Sequence, residues 1–318
     1  MLDFSLGRGE ETPPTDKTYD IIILGGGPAG LTAGLYAARA GRDTLVVEKG
    51  IYGGQIATTT HIENYPAFDG TGPELGERMH QQATKFGMRG VVAEATAVQV
   101  RGEVKQVSTT VGGYKARVLI LAMGTHYADL GVPGEKEYRG RGVSYCATCD
   151  GPFFRNKVVA VVGGGDTACQ EGLHLASLAS KLVLIHRRNE LRAAKVLQDR
   201  ILGDPKVEMR WDTVVEAIAG NGAVNALRLR NVKTGERSEV PVNGVFILVG
   251  LVPNSELVQG QVKLDERGYI LANARMETDV PGVFTAGDIR QTPLRQVVTA
   301  AGDGAIAAFI ADDYLRGH

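Results

Sequence analysis

The chain has 318 residues, enough for two domains each with its own core. Its 43% hydrophobic and 22% charged residues are a globular composition, and 42 glycines imply many tight turns. A net charge of -1, from 35 basic and 36 acidic residues, leaves no electrostatic footprint for nucleic acid or a membrane surface and favours a small-molecule or protein substrate.

The first 18 residues are polar and carry two adjacent prolines without the apolar core of a signal peptide, and they read as a flexible arm. No apolar run approaches the roughly 18 residues of a membrane span, so a cytoplasmic protein is expected. A predicted strand, Tyr19 to Leu24, then runs into Gly25-Gly26-Gly27-Pro28-Ala29-Gly30. A helix is expected from about Leu31 to Ala40, and a second strand, Thr44 to Val47, ends at Glu48. A β-rich segment, Val104 to Val118, folds over Gly112-Gly113, and a buried strand, Val118 to Ala122, ends before Gly124.

The same order recurs half a chain later. Lys157 to Val162 leads into Gly163-Gly164-Gly165-Asp166-Thr167-Ala168, a helix to about Ala179, and a strand, Lys181 to Ile185, ending at His186-Arg187-Arg188. Val224 to Val240 turns near Lys233-Thr234-Gly235-Glu236, and Gly244 to Val249 closes the unit before Gly250. The remainder, Asn254 to His318, holds a strand (Tyr269 to Leu271), Val283 to Asp288, and a small-residue helix from about Arg295. It is short for a domain of its own and is expected to return to the first unit. The fold class is therefore α/β: two Rossmann-like, three-layer ββα nucleotide-binding domains, 126–251 inserted in 19–125 plus 252–318.

Each glycine turn has a strand before it and a helix after it, the context that gives the fingerprint meaning; alone it would describe two ordinary βα turns. Glycine permits a tight turn and lets backbone N–H groups approach a pyrophosphate at a helix start. In the first unit Gly25, Gly27, Pro28, Ala29 and Gly30 are the candidates, and Glu48 suits the ribose diol of an unphosphorylated adenosine, as in FAD or NAD. In the second, Gly163, Gly165, Asp166 and Thr167 are followed by His186, Arg187, Arg188 and Arg192, cations that match a 2′-phosphate and favour NADPH over NADH.

Cys146-Ala147-Thr148-Cys149-Asp150 precedes the second turn. Two cysteines at this spacing close a small reducible disulfide with at least one lowered thiol pKa, and the following carboxylate is placed to pass protons. Zinc is the rival, but a structural site needs four ligands, and the third cysteine, Cys169, with His174 behind it, lies on the helix after the glycine turn. Cys169 is expected to be a buried, inert thiol, and no metal is expected.

From about Tyr19 onward the chain resembles the low-molecular-weight thioredoxin reductases, class II pyridine nucleotide-disulfide oxidoreductases. The resemblance rests on Cys146-Ala147-Thr148-Cys149-Asp150, on His186-Arg187-Arg188 with Arg192-Ala193, and on Gly53-Gly54-Gln55, Glu63-Asn64-Tyr65-Pro66, Gly287-Asp288 and Arg295-Gln296. It implies a homodimer with FAD in the discontinuous domain and NADPH in the inserted one. Gly54, Gln55, Asn64, Gly124, Gly287, Asp288, Arg295 and Gln296 join the FAD candidates, with Asp288 on the ribityl chain and Arg295-Gln296 near the isoalloxazine. It further implies that Cys149 faces the flavin, Asp150 is the acid–base group and Cys146 attacks thioredoxin. Hydride would pass from NADPH to FAD, then to the disulfide, and the inserted domain would rotate about Gly124-Thr125 and Gly250-Leu251 to alternate the two partners. Met123, where a small polar residue is usual, the long arm, and Tyr314 in a charged tail depart from the pattern. The alternatives are a reductase of the same build serving another disulfide protein, one fed by ferredoxin, and a nucleotide-sensing protein without turnover.

Overall fold

The computed structural model describes residues 13–59 and 62–317. The chain divides into two compact units, Met1–Thr125 with Pro253–His318, and His126–Val252.

In chain order, the first unit opens with β1 (Thr18–Leu24), α1 (Pro28–Arg39) and β2 (Thr44–Glu48). The hairpin β3 (Ile62–Tyr65) and β4 (Phe68–Gly70), α2 (Gly72–Lys85), β5 (Arg89–Val92) and the strands β6 (Ala95–Gln99), β7 (Lys105–Thr109) and β8 (Gly112–Leu121) follow. β9 (Thr125–Tyr127) leads out to β10 (Val143–Ser144), α3 (Ala147–Asp150), β11 (Val158–Gly163), α4 (Asp166–Leu178), β12 (Lys181–Ile185), α5 (Lys195–Gly203) and β13 (Val207–Arg210). The strands β14 (Thr213–Gly220), β15 (Val224–Asn231) and β16 (Arg237–Pro241) precede β17 (Gly244–Leu248); β18 (Leu251–Pro253) leads back to β19 (Val283–Thr285) and α6 (Val297–Gly317).

The first unit's sheet runs β5-β2-β1-β8, all parallel, with β19 parallel to the second half of β8 and β7-β6 antiparallel to its first half. Its central strands are almost fully buried, as strands covered on both faces must be. On one face α1 meets α6 through small side chains, Ala29, Ala33 and Ala37 against Ala300, Ala307, Ala308 and Ala311. The approach is close: a methyl group on Gly304 would stand 2.1 Å from the Ala29 carbonyl oxygen.

The second unit repeats the plan with a parallel sheet, β10-β17-β11-β12-β13, and a separate antiparallel sheet, β14-β15-β16. One core, including Ala160, Val183, Ile185, Leu227 and Leu229, joins the two sheets, and a second surrounds α4.

Three expectations change. Of the expected arm, residues 1–12 lie outside the described residues, but the chain from Pro13 onward is held: Pro13 is buried, the Tyr19 hydroxyl donates to the Pro14 carbonyl at 2.9 Å, and Thr18 already belongs to β1. The two strands expected around Val118 are one strand, β8, whereas their counterparts β16 and β17 are separate because Pro241 cannot extend the ladder as a donor. Tyr269 to Leu271 forms only isolated bridges, Ile270 with Leu264 and with Arg290. Tyr314 packs edge-to-face on Phe284 of its own unit at 6.2 Å. Among the described residues no helix is long and apolar enough to cross a membrane.

Candidate active site

The first glycine turn is divided between residues the fold needs and one it leaves open. Gly25 has φ 103°, and a Cβ there would lie 2.3 Å from the Ala122 carbonyl oxygen. One on Gly30 would lie 1.8 Å from the Gly25 oxygen, so these two glycines set the turn and the packing of α1 on the sheet. Gly27 differs: its nearest neighbour would be 3.9 Å away. It precedes Pro28, the first residue of α1, and no side chain caps that helix. Open space before uncapped helical N–H groups, with proline supplying no N–H of its own, fits a pyrophosphate.

Glu48 is buried and fixed, accepting from the Gly26 N–H at 2.6 Å and the Gly50 N–H at 2.8 Å, one on each oxygen. Each oxygen keeps a further lone pair, which suits a ribose diol. Gly54 comes within van der Waals range of Gly27, and the Gln55 amide donates to the Thr125 carbonyl at 2.6 Å and hydroxyl at 2.8 Å. Gly124 accepts the Asn254 N–H at 3.0 Å. Asn64 donates to Gln296 at 2.9 Å across a long stretch of chain. Gly287 and Asp288 form one turn of 3-10 helix ahead of Arg295, whose guanidinium stacks 4.0 Å over the Tyr269 ring. Burial pushes the Asp288 carboxyl up to about 6, against the pull of Arg295.

The second turn repeats the division. A Cβ on Gly163 would meet the Leu248 oxygen at 2.4 Å, while around Gly165 nothing lies within 4 Å. Asp166 begins α4 and accepts the Ala194 N–H at 2.6 Å; the Arg192 N–H donates to the Gly164 oxygen at 2.7 Å. The basic segment is thereby tied to the turn, with Arg187, Arg188 and Arg192 exposed. His186 stands apart from the expected cation cluster. It is 5% exposed, lies against Gly164 and edge-on to Trp211, and burial holds its pKa below the ordinary value. Of the expected cluster the three arginines are exposed, while the imidazole packs under the turn.

Cys146 and Cys149 are joined by a disulfide, their Cα atoms 5.4 Å apart. Cys146, in extended conformation, caps the single-turn helix α3, and its Sγ accepts the Cys149 N–H at 3.1 Å. Cys149 is exposed and Cys146 and Asp150 are half-buried. The Ser144 hydroxyl holds the preceding backbone, accepting the Cys146 N–H at 3.1 Å. Cys169 is fully buried, and burial pushes its thiol up to about 11, so it is no nucleophile. Among the described residues no cluster of three metal-binding side chains forms.

Residues 19–304 match the pyridine nucleotide-disulphide oxidoreductase family. A Bacillus subtilis protein named thioredoxin reductase is 48% identical over 303 residues, 95% of this chain and 96% of its own. The chain belongs to the thioredoxin reductases of that family. A Lactococcus lactis thioredoxin reductase structure superposes with a TM-score of 0.93 at 40% identity, covering 95% of this chain and all of that one. One from T. acidophilum superposes at 0.90 and 32% identity, over 94% and 99% of the two chains. Family membership makes this a flavin- and nicotinamide-linked oxidoreductase acting on disulfides.

Three further residues support this thioredoxin reductase site, and motif reading passed over them. Asp303 in α6, 7% exposed, accepts the Gly287 N–H at 3.1 Å and the Nε and Nη2 of Arg290, at 2.6 and 2.7 Å, holding the turn that carries Asp288. Its signal was a carboxylate among small apolar residues in the first half of the helix, which requires a partner. Tyr145, next to Cys146, donates at 2.6 Å to the buried Glu135. Glu171 in α4 accepts the Ala147 N–H at 2.9 Å; its spacing from the cysteines carried no signal, because the two helices meet only in space.

Proposed function

We propose that the chain is an NADPH-dependent thioredoxin-disulfide reductase with FAD in the first unit and NADPH in the second. The reading is carried by the Cys146–Cys149 disulfide, which lies partly open to solvent in the unit that also holds the open cradle at Gly165 and three exposed arginines. FAD, when bound, supplies the two-electron relay between the nicotinamide and the disulfide.

The protein's own residues hold and sort these partners. Gly25, Gly27, Pro28, Ala29, Gly30 and Glu48 receive the adenine-nucleotide half of FAD; Gly54, Gln55, Asn64, Gly124, Gly287, Asp288, Arg295 and Gln296 line its flavin half. Gly163, Gly165, Asp166 and Thr167 receive the NADPH pyrophosphate at the start of α4, while Arg187, Arg188 and Arg192 select the 2′-phosphate. Cys149 takes electrons from the flavin side. Cys146 attacks the thioredoxin disulfide as a thiolate, forming a mixed disulfide that Cys149 resolves, and Asp150 supplies and removes the proton. Phe153, 73% exposed three residues after Asp150, offers that protein partner an apolar contact. A homodimer is supported by exposed apolar side chains along α6, Val298, Ile306 and Phe309, and the reducing cytoplasm suits a dithiol product.

Anaerobic titration tests this reading. NADPH should bleach the yellow protein at far lower concentration than NADH, and oxidised thioredoxin should restore the colour. Bleaching without reoxidation points to another disulfide protein as partner. Absence of bleaching by either nucleotide removes the nicotinamide reading and favours ferredoxin or a sensor.

A further inference from the structure

Glu171 lies in the second unit on the first half of α4, and its carboxylate meets the start of α3. Its Oε2 accepts the Ala147 N–H at 2.9 Å, and the backbone of the next residue, Thr148, pulls its pKa the same way. Ala147 and Thr148 are the first two residues of the turn capped by Cys146. Their N–H groups are the ones that, left free beside a cysteine at a helix start, stabilise its thiolate. Here a carboxylate has taken the first of them, that of Ala147, while Cys146 Sγ accepts the Cys149 N–H at 3.1 Å.

We propose that Glu171 is a positioning residue that keeps the Cys146–Cys149 pair strongly reducing, by occupying the Ala147 amide at the start of α3 and setting a negative charge close to the nascent Cys146 thiolate. This rests on the redox reading of that pair. Breaking the disulfide takes two electrons, and one proton then leaves one thiol and one thiolate; a second proton gives the dithiol. At a pH where Cys146 is ionised in the reduced pair, whatever destabilises that thiolate raises the energy of the pair and makes it a better donor to an incoming disulfide. The surroundings support the charge effect. Burial pushes the Glu171 carboxyl above the usual range, and the neighbouring Tyr127 hydroxyl rises to about 12 through its own burial and the Glu171 charge. Water does little there to screen Glu171 from its neighbours.

The test compares wild type, Glu171→Gln, Glu171→Met and Glu171→Asp as flavin-loaded proteins equilibrated with dithiothreitol and its cyclic disulfide. Dithiothreitol gives up two electrons and two protons as its ring closes. Acid quenching, alkylation and mass spectrometry then read the dithiol fraction, and the pH dependence of Cys146 alkylation reads the thiolate. The neutral variants should shift the equilibrium about tenfold toward dithiol, roughly 30 mV more oxidising, and should alkylate at lower pH. Glu171→Asp keeps the charge and should stay near wild type. Either neutral variant, whichever is recovered folded, decides the point. Wild-type equilibria in the neutral variants, or an equal shift in Glu171→Asp, overturn the proposal. Failure of the wild-type pair to be reduced at all would instead overturn the redox reading on which it rests.

Discussion

The Ala194 N–H donates to the Asp166 carboxylate at 2.6 Å, fastening the end of the basic segment to the first residue of α4. The arginines proposed to discriminate the nucleotide are thus anchored to the turn that would receive its pyrophosphate. Replacing Arg187 or Arg188 by Ala should raise KM for NADPH by about ten- to a hundredfold, the loss of one charge-assisted contact of roughly 1.5–3 kcal/mol. KM for NADH should hardly change. Steady-state kinetics with both nucleotides checks this, and an equal rise for both would place the arginines elsewhere.

Steric room predicts opposite outcomes for neighbouring glycines. Gly27→Ala and Gly165→Ala meet nothing closer than 3.9 Å and should fold with wild-type thermal stability. They should nevertheless weaken flavin and NADPH binding respectively, because the added methyl occupies the approach to the phosphates. Gly25→Ala, which meets a carbonyl oxygen at 2.3 Å from a positive φ, should lose folded protein instead. Flavin content, nucleotide titration and melting temperature separate the three.

Replacing Cys146 or Cys149 by Ser should abolish thioredoxin reduction while NADPH still bleaches the flavin. Stopped-flow absorbance with and without thioredoxin measures both halves. Thioredoxin turnover in either variant would show that the disulfide is not on the path.

Asp288 supplies a pH signature in the flavin-free protein. Its carboxyl is raised from 3.8 to about 6, so the folded state holds a proton that the unfolded state has released between those values. Wild-type stability therefore falls as pH rises through that window and is flat above it. Asp288→Asn escapes the cost, so its advantage should grow from pH 4 to pH 6, reaching about 2–3 kcal/mol at 1.36 kcal/mol per pH unit. Urea unfolding at pH 4 and pH 7.5 reads it; a pH-independent difference would contradict the burial of that carboxylate. The same variant should hold FAD less well.

Legibility from sequence followed the range of the contacts. Both βαβ openings, from β1 to Glu48 and from β11 to Ile185, were readable because strand, glycine turn and helix are consecutive. The cysteine pair was readable for the same reason. The type of His186 was visible in the sequence, but its burial against Gly164 was not. Glu171 and the Asp303–Arg290 pair escaped because each depends on elements brought together only by the fold. The closing strand of the first unit looked like two, since Val118 lies where the partner of β8 changes from β7 to β19.

The discontinuity of the first unit has a consequence for biosynthesis. A ribosome completes the second unit, His126–Val252, before it has made β19, Asp303 or any of α6. The inserted unit can therefore fold while its host still lacks a sheet strand and the helix that covers α1, consistent with domains folding as units during synthesis. If the Gly287 turn holds the flavin as proposed, its clasp by Asp303 forms only once α6 has emerged. The inserted unit is thus complete in the chain before its host is.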